Sequence, residues 1–311
     1  MKESRRTALK SILAGTVTLA TAGVVPACAE QQPKEELKAG TEGLKNAINH
    51  SVCRWTYNDM SLEDLCKTVK DIGFSAIDLV GPGEWDVLKK WGITSSMCNG
   101  AEINLVDGWN NKNNHATLIK NYTDMIPQVA KAGYKNLICF SGNRNGMSEE
   151  EGLQNCVEGL KQIMPLAEEQ GVIIQMELLN SKVNHPDYMA DHSAWGVELC
   201  KRLGSNNFKL LYDIYHMQVM EGDIISTIQQ HHQYFGHYHT AGVPGRHEID
   251  ESQELFYPAI MKAILATGFK GYVAQEFVPA AENKVASLRE AIRICDVTAA
   301  NAAPATATKQ G

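Results

Sequence analysis

Short apolar runs rich in β-forming residues alternate eight times with longer stretches whose apolar positions recur every three to four residues. The first pattern predicts buried strands, and the second predicts amphipathic helices. The predicted strands cover residues 47–53, 74–80, 93–99, 136–141, 172–178, 208–213, 235–240 and 271–277. The predicted helices cover residues 61–72, 84–91, 115–132, 148–170, 192–203, 223–231, 254–266 and 281–296.

Continuous apolar strands separated by helices are typical of a parallel α/β sheet that is covered by helices. Eight such units predict a closed (β/α)8 barrel, the TIM barrel, as a single domain over residues 46–297. The alternative is an open, doubly wound sheet. Against it, no Gly-x-Gly-x-x-Gly segment follows the first strand, and the Gly-Pro-Gly segment at residues 81–83 is too short to cradle a phosphate.

The first 29 residues have the pattern of a twin-arginine signal peptide. Arg5 and Arg6 precede an apolar run over residues 12–25, and small residues flank Cys28. We therefore expect an exported, periplasmic protein that uses the twin-arginine translocon. An ordinary amphipathic helix and a lipid anchor on Cys28 are the alternatives, although residues 25–28 form a poor lipobox. Residues 30–45 are predicted to be a flexible polar linker, and residues 298–311 a flexible tail.

The charge of the chain limits the kind of partner. The formal net charge is −7, and the signal contributes four basic residues and one acidic residue, 4 − 1 = +3. The remaining chain therefore carries −7 − 3 = −10. An acidic body argues against nucleic acid as a partner, because phosphate binding requires Lys and Arg. The cysteines beyond Cys28 lie mostly in apolar patterns without a Cys-x-x-Cys pair, which predicts buried thiols.

The fifth to eighth predicted strands each end on a side chain that can bind a metal: Glu177, Asp213, His239 and Glu276. The carboxyl ends of barrel strands meet at one rim, where the active groups of such proteins lie. Three carboxylates at one place repel each other unless a cation lies between them. Oxygen-rich ligation with one imidazole favours Mn²⁺ or Mg²⁺, with Co²⁺ and Zn²⁺ as alternatives.

Each of these residues also has a structural explanation when it is considered alone. A strand-end glutamate could belong to an ion pair, and Asp213 could cap the following helix. His237 and His239 face the same way along strand seven, so we expect one ligand and one hydrogen-bonded core histidine. Arg246 could be a solvated loop charge. Three tryptophans in or near predicted βα loops either line the pocket or pack the loops: Trp55, Trp85 and Trp109.

Three segments carry a resemblance to a known family: ELLN at residues 177–180, YDIYHMQ at 212–218 and AGVPGRHE at 241–248. They resemble the hydroxypyruvate isomerases, and residues 46–297 are similar to the wider xylose isomerase-like superfamily of TIM-barrel sugar isomerases and epimerases. The resemblance implies a divalent-metal site formed by Glu177, Asp213, His239 and Glu276. It also implies that Glu177 and Glu276 transfer protons, and that His216 and Arg246 bind substrate oxygens.

The reaction implied by the resemblance interconverts hydroxypyruvate and tartronate semialdehyde through an enediolate. Two positions depart from the family pattern. Strand five reads Glu-Leu-Leu-Asn where the family often has Glu-Pro-Ile-Asn. Position 239 is His, as in keto-sugar epimerases, where hydroxypyruvate isomerases often have Gln.

Other functions remain open from the sequence. One is an exported keto-sugar epimerase or isomerase, and another is a non-catalytic sugar-binding barrel. A related abasic-site endonuclease is disfavoured by the acidic charge and by too few histidines for three zinc ions. A homodimer is expected from the resemblance alone.

Overall fold

The computed structural model describes residues 43–298, and eight parallel strands form the central sheet of this range. The strands are β1 (Asn49–Cys53), β2 (Ala76–Asp78), β3 (Thr94–Met97), β4 (Asn136–Cys139), β5 (Ile173–Glu177), β6 (Phe208–Asp213), β7 (Phe235–Thr240) and β8 (Tyr272–Gln275). Their order in the sheet is β3-β2-β1-β8-β7-β6-β5-β4.

The two outer strands of this order, β3 and β4, meet through Cys98. The Cys98 N–H donates to the Asn136 carbonyl at 2.8 Å, and the Cys98 carbonyl accepts from the Ile138 N–H at 3.0 Å. This isolated bridge brings the two edges of the sheet together into a nearly closed barrel. The predicted (β/α)8 TIM barrel is confirmed.

Ten α-helices lie within residues 43–298. They are α1 (Leu62–Ile72), α2 (Trp85–Trp91), α3 (Lys112–Ala132), α4 (Glu149–Leu160), α5 (Met164–Gln170), α6 (Ser193–Leu203), α7 (Ile214–Met220), α8 (Ile224–His231), α9 (Tyr257–Ala266) and α10 (Lys284–Cys295). The first helix illustrates why they start and end where they do. The Ser61 hydroxyl accepts from the Asp64 N–H at 3.1 Å, and Gly73 ends the helix at a φ of 113°.

Two helices differ from the sequence prediction. The helix predicted over residues 148–170 is divided into α4 and α5, with residues 161–163 between them. Pro165 explains the break, because it has no N–H for the Lys161 carbonyl and its ring would clash with that carbonyl in a continuous helix. The second difference is α7, a short helix directly after β6 where we predicted none.

Buried polar side chains lie along several strands as well as at their carboxyl ends, among them Ser51, Ser96, Gln175 and His237. The seven cysteines within the described range are all buried and free, which confirms the prediction of buried thiols. Over residues 43–298, no helix combines the length and the apolar character that are needed to cross a membrane.

The beginning and the end of the barrel are tied together at Asp296. The Lys45 N–H donates to Asp296 Oδ2 at 2.6 Å, and Lys45 Nζ donates to the Asp296 carbonyl at 2.7 Å. The predicted signal peptide, most of the linker and the tail beyond residue 298 lie outside the described residues.

Candidate metal centre

The barrel brings the four potential ligands into one buried group, which we call the ligand group: Glu177, Asp213, His239 and Glu276. One ligand atom from each residue lies within 4.8 Å of the others. His239 Nδ1 is at the centre, 3.1 Å from Glu177 Oε1, 3.0 Å from Glu276 Oε2 and 4.0 Å from Asp213 Oδ2. Four successive strands therefore supply four side chains to one place.

Each side chain is placed by the end of its strand. Glu177 and Asp213 are the last residues of β5 and β6, and Glu276 follows β8 directly. In the order of the sheet, β8 lies on one side of the His239 strand β7, and β6 followed by β5 lies on the other. Asp213 also caps α7, since its Oδ1 accepts from the His216 N–H at 3.0 Å. Its other oxygen, Oδ2, remains for the ligand group.

The electrostatics of the ligand group favour a cation. Three ionised carboxylates beside the guanidinium of Arg246 would sum to −3 + 1 = −2. Burial and then the charge of Glu276 raise the pKa of Glu177 and the pKa of Asp213 above their ordinary values. Burial also acts to raise the pKa of Glu276, but His239 and Arg246 outweigh it and hold that pKa well below its ordinary range. Burial and mutual repulsion therefore disfavour the ionisation of all three carboxyl groups together unless a cation besides Arg246 lies between them.

Two atoms of the ligand group have no hydrogen-bond partner although they are buried. They are Glu177 Oε1 and His239 Nδ1, which are 3.1 Å apart but lack the geometry of a hydrogen bond. Unpartnered buried polar atoms are costly and call for an explanation. Three carboxylates and one imidazole nitrogen form a donor set that suits Mn²⁺ or Mg²⁺, so the residues present fit a divalent metal.

The other ring nitrogen of His239 faces a residue that we did not predict. His239 Nε2 lies 2.7 Å from Asp78 Oδ2, at the end of β2. His237 Nε2 lies 3.2 Å from the other oxygen of Asp78, so His237 is the core histidine of the pair, although neither of its ring nitrogens has the geometry of the hydrogen bond that we expected. Burial acts to raise the pKa of Asp78, but the two histidines outweigh it and the pKa lies below its ordinary value.

Cys53, Asp78 and His239 form a second close group of potential ligands. The Cys53 sulfur is 3.7 Å from Asp78 Oδ2 and 3.8 Å from His239 Nε2. Burial raises the pKa of the Cys53 thiol well above its ordinary value, which suits a protonated thiol that donates to Asp78. We therefore interpret this group as a hydrogen-bonded cluster rather than as a metal site.

Arg246 lies beside the ligand group and is largely buried, with 14% of its side chain exposed. Its Nη2 is 2.5 Å from Glu276 Oε2 and 3.8 Å from Asp213 Oδ2. Its guanidinium lies between two aromatic rings, 5.1 Å from the centre of Trp55 and 5.6 Å from that of Tyr215. Arg246 is therefore part of the site rather than a solvated loop charge.

Only one of the three tryptophans considered from the sequence lies at the site. Trp55 donates from Nε1 to Glu276 Oε1 at 2.8 Å, so Trp55 and Arg246 hold the two oxygens of that carboxylate. Trp85 is buried and donates to the Val80 carbonyl. Trp109 is fully buried and packs in the core.

His216 points one nitrogen toward the ligand group. Its Nδ1 accepts from the Asn180 backbone N–H at 3.1 Å and lies 2.6 Å from the Asn180 side-chain amide. A neutral ring that accepts at Nδ1 carries its hydrogen on Nε2. Nε2 is buried, has no hydrogen-bond partner and lies 3.7 Å from Asp213 Oδ2. Burial, followed by the charge of Arg246, lowers the pKa of His216 well below its ordinary value, so the ring is a neutral donor.

The fold and the site define a (β/α)8 barrel with a buried carboxylate–imidazole group at the carboxyl ends of its strands. Residues 66–296 match the family model described as the xylose isomerase-like TIM barrel, so the chain belongs to that family.

Three similar proteins represent the relatives. 2-Oxo-tetronate isomerase of Cupriavidus necator is 35% identical over 112 residues, which are 36% of this chain and 42% of that protein. Hydroxypyruvate isomerase of Escherichia coli is 29% identical over 148 residues, 47% of this chain and 57% of that protein. The crystal structure of AP endonuclease, family 2, from Brucella melitensis matches with a TM-score of 0.70 at 22% identity, covering 78% of this chain and 97% of that chain.

These findings confirm the resemblance to the hydroxypyruvate isomerases and their superfamily. The sequence matches span 42% and 57% of the two curated relatives, and the structural likeness shows the fold.

Proposed function

We propose that this protein is a metal-dependent isomerase that interconverts a 2-keto-3-hydroxy acid and its 2-hydroxy-3-oxo isomer through an enediolate. Hydroxypyruvate and tartronate semialdehyde are the simplest such pair. The observation that carries the proposal is the ligand group, in which carboxylate oxygens of two glutamates lie 3.1 Å and 3.0 Å from His239 Nδ1. Relatives named 2-oxo-tetronate isomerase and hydroxypyruvate isomerase support the substrate class.

We propose that Glu177, Asp213, His239 and Glu276 hold the metal, with Mn²⁺ or Mg²⁺ preferred and Co²⁺ or Zn²⁺ as alternatives. The chemistry that a bound divalent ion supplies is electrostatic, because its charge acidifies the C–H next to the substrate carbonyl and stabilises the enediolate. The remaining chemistry belongs to side chains of this chain.

We assign the proton transfer to Glu177 and Glu276. A C–H bond breaks at the carbon that bears the hydroxyl group and forms at the neighbouring carbonyl carbon. The hydroxyl proton moves between the two oxygens, so the product is an isomer with no atom gained or lost. Trp55 and Arg246 hold the Glu276 carboxylate in one orientation, which suits a group that must meet a particular carbon.

His216 and Arg246 are the proposed substrate-binding residues. The Nε2–H of His216 is a neutral donor that points to the ligand group, so it can bind a substrate hydroxyl or carbonyl oxygen. The Nε of Arg246 is buried and has no partner. A charge-assisted hydrogen bond from this guanidinium suits a substrate carboxylate.

A keto-sugar epimerase or isomerase is the second candidate, and two observations favour it. Position 239 is His rather than Gln, and the N-terminal segment is predicted to direct export, whereas hydroxypyruvate is a cytoplasmic metabolite. A non-catalytic sugar-binding barrel is less favoured, because it has no use for two buried proton-transfer glutamates.

The test combines metal analysis with turnover. The purified protein is analysed for bound metal, stripped with a chelator and reloaded separately with Mn²⁺, Mg²⁺, Co²⁺ or Zn²⁺. Isomerisation is then measured on hydroxypyruvate, on longer 2-keto-3-hydroxy acids and on a panel of neutral ketoses. Turnover of the acids alone supports the first candidate, turnover of the ketoses alone supports the second, and absence of both metal and turnover supports the sugar-binding barrel.

A substitution tests the proton-transfer assignment. Glu276→Gln keeps the shape of the side chain and removes its basicity, so we expect kcat to fall by about 10²-fold or more. Glu254→Gln alters an exposed glutamate and serves as the control. Wild-type turnover by Glu276→Gln would contradict the mechanism.

We also propose that the protein is exported to the periplasm by the twin-arginine translocon. Fractionation of cells that express the wild type and the Arg5→Lys, Arg6→Lys double variant tests export, and retention of the wild type in the cytoplasm would contradict it. Mass spectrometry of the mature N-terminus tests lipid attachment to Cys28, and light scattering tests the homodimer.

A further inference from the structure

Asp78 is a buried carboxylate outside the ligand group, and nothing in the proposed chemistry yet uses it. It ends β2 on the barrel interior and is fully buried. Its Oδ2 lies 2.7 Å from His239 Nε2, and its Oδ1 lies 3.2 Å from His237 Nε2. Ser96 donates to Oδ1 at 2.5 Å. A carboxylate removed from water in this way is costly unless its oxygens are paired, and here both are.

This contact decides which nitrogen of His239 carries a hydrogen. An ionised carboxylate can only accept, so the His239 Nε2 that faces Asp78 must donate. The neutral imidazole then has its lone pair on Nδ1, the atom at the centre of the ligand group. A lone pair on Nδ1 is what a metal ion requires of a histidine ligand.

The opposite tautomer would compete with metal binding. With its hydrogen on Nδ1, His239 would turn an N–H toward the ligand group, where Glu177 Oε1 at 3.1 Å and Glu276 Oε2 at 3.0 Å lack the geometry to accept it. The nitrogen donor would be lost, and the hydrogen in its place would have no partner. The ligand group therefore depends on a residue that keeps the hydrogen on the far side of the ring.

We propose that Asp78 is the positioning residue that fixes the tautomer and the orientation of His239, so that Nδ1 is available to the divalent metal. This inference rests on the metal-dependent function proposed above. It also explains the histidine pair of β7, because His237 and His239 share the two oxygens of one carboxylate. The serine contacts keep the carboxylate in place: Ser96 donates to Asp78, and the Ser51 and Ser96 hydroxyls are 2.5 Å apart.

The test uses Asp78→Asn, which keeps the size of the side chain. With its oxygen toward Ser96 and His237, the asparagine turns its amide NH₂ toward His239 Nε2. That nitrogen must then accept, and the hydrogen moves to Nδ1. Mn²⁺ affinity is measured by titration calorimetry on the chelator-treated protein, and we expect Asp78→Asn to bind about 10- to 100-fold more weakly than the wild type.

The control is His237→Gln, which contacts the same carboxylate but lies outside the ligand group. We expect the Mn²⁺ affinity of His237→Gln to stay within about threefold of the wild type. Loss of a residue that directly supports a metal ligand is expected to weaken metal binding by about 10-fold or more. Thermal unfolding of each variant reports on folding separately.

A second readout is independent of activity and of Mn²⁺. The ¹⁵N shifts of histidine rings distinguish the two tautomers, and the His239 signals are assigned by their loss in His239→Gln. Burial acts to lower the pKa of His239, but Cys53, Glu276 and Asp78 outweigh it and raise that pKa, so the metal-free spectra are recorded at a pH at which the ring is neutral. We then expect the single ring hydrogen on Nε2 in the wild type and on Nδ1 in Asp78→Asn. A neutral wild-type ring with its hydrogen on Nδ1 would overturn the proposal even if Asp78→Asn did not fold.

The outcomes separate this proposal from the function on which it rests. A wild type that binds no Mn²⁺ would overturn the metal site, while the ring signals would still decide whether Asp78 sets the tautomer. A wild type that binds Mn²⁺ and an Asp78→Asn variant with equal affinity and an unchanged tautomer would overturn the role of Asp78.

Discussion

Replacing Arg246 with lysine separates the two candidate substrate classes. Lysine keeps the positive charge beside Glu276, but it loses the planar group that lies between Trp55 and Tyr215. One donor of Arg246 already contacts Glu276 at 2.5 Å, so a substrate needs a second N–H of the same group. Lysine offers no second N–H at a fixed geometry. A substrate carboxylate therefore loses a charge-assisted hydrogen bond in this variant, while a neutral ketose does not.

The size of the effect follows from these contacts. A hydrogen bond to a charged group contributes about 1.5–3 kcal/mol, and loss of the stacked cation contributes about 0.5–1 kcal/mol. The sum of about 2–4 kcal/mol corresponds to a fall in kcat/KM of roughly 30- to 1,000-fold for a keto acid. For a neutral ketose only the stacking contribution is lost, which corresponds to a fall of roughly 2- to 5-fold.

Initial rates on hydroxypyruvate and on the best neutral ketose, each across a range of concentrations, supply the two values of kcat/KM. His247→Gln changes the next residue of the same loop, which is exposed, and serves as the control. An equal fall on both kinds of substrate would refute carboxylate binding by Arg246 and would show that this residue acts only through Glu276.

Three further predictions concern the same region. Trp55→Phe removes the 2.8 Å hydrogen bond to Glu276. Loss of a hydrogen bond to a charged group, about 1.5–3 kcal/mol, should lower kcat by roughly 10- to 100-fold without changing the melting temperature. A wild-type kcat would refute this prediction. Mn²⁺ affinity should rise with pH, because the raised pKa of Glu177 keeps a proton on the metal-free site that binding must displace. Calorimetry in buffers of different ionisation enthalpy would measure the released proton. An affinity independent of pH would count against this prediction. Gly242→Ala places a Cβ 2.2 Å from the Glu248 carbonyl, so we expect a lower melting temperature and lost turnover, whereas Gly83→Ala, with open space around it, should keep turnover.

The hydrophobic pattern was sufficient to predict the barrel, because each strand is a short apolar run and each helix has its own periodicity. It also predicted the ligand group, since the carboxyl ends of consecutive parallel strands must meet at one rim. The division of one long predicted helix at Pro165 was within reach of the same reasoning, because proline is incompatible with a helix interior. The hydrophobic pattern alone predicted that the helix over residues 148–170 continues through Pro165, and it does not.

Asp78 and the contact of Trp55 with Glu276 were beyond local sequence reasoning, although Trp55 was considered as a residue that could line the pocket. Asp78 meets His239 across the barrel, at a separation of 161 residues along the chain. Trp55 meets Glu276 at a separation of 221 residues. Such contacts follow from the closure of the sheet, in which β1 lies next to β8, and not from any spacing along the chain. The one signal available in the sequence was the histidine pair itself, because His237 and His239 face the same way and need a buried carboxylate from another strand.

Asp213 shows why a structural and a functional explanation of one residue need not compete. One carboxylate oxygen caps α7 through the His216 N–H, as the residue type alone suggested, and the other faces His239. The cap therefore does more than begin a helix. Because His216 lies in the first turn of α7, the bond that starts this helix also sets the position of the imidazole whose Nε2–H faces the ligand group. One side chain thus couples the proposed metal ligand to the proposed substrate donor, and Asp213→Asn should disturb both.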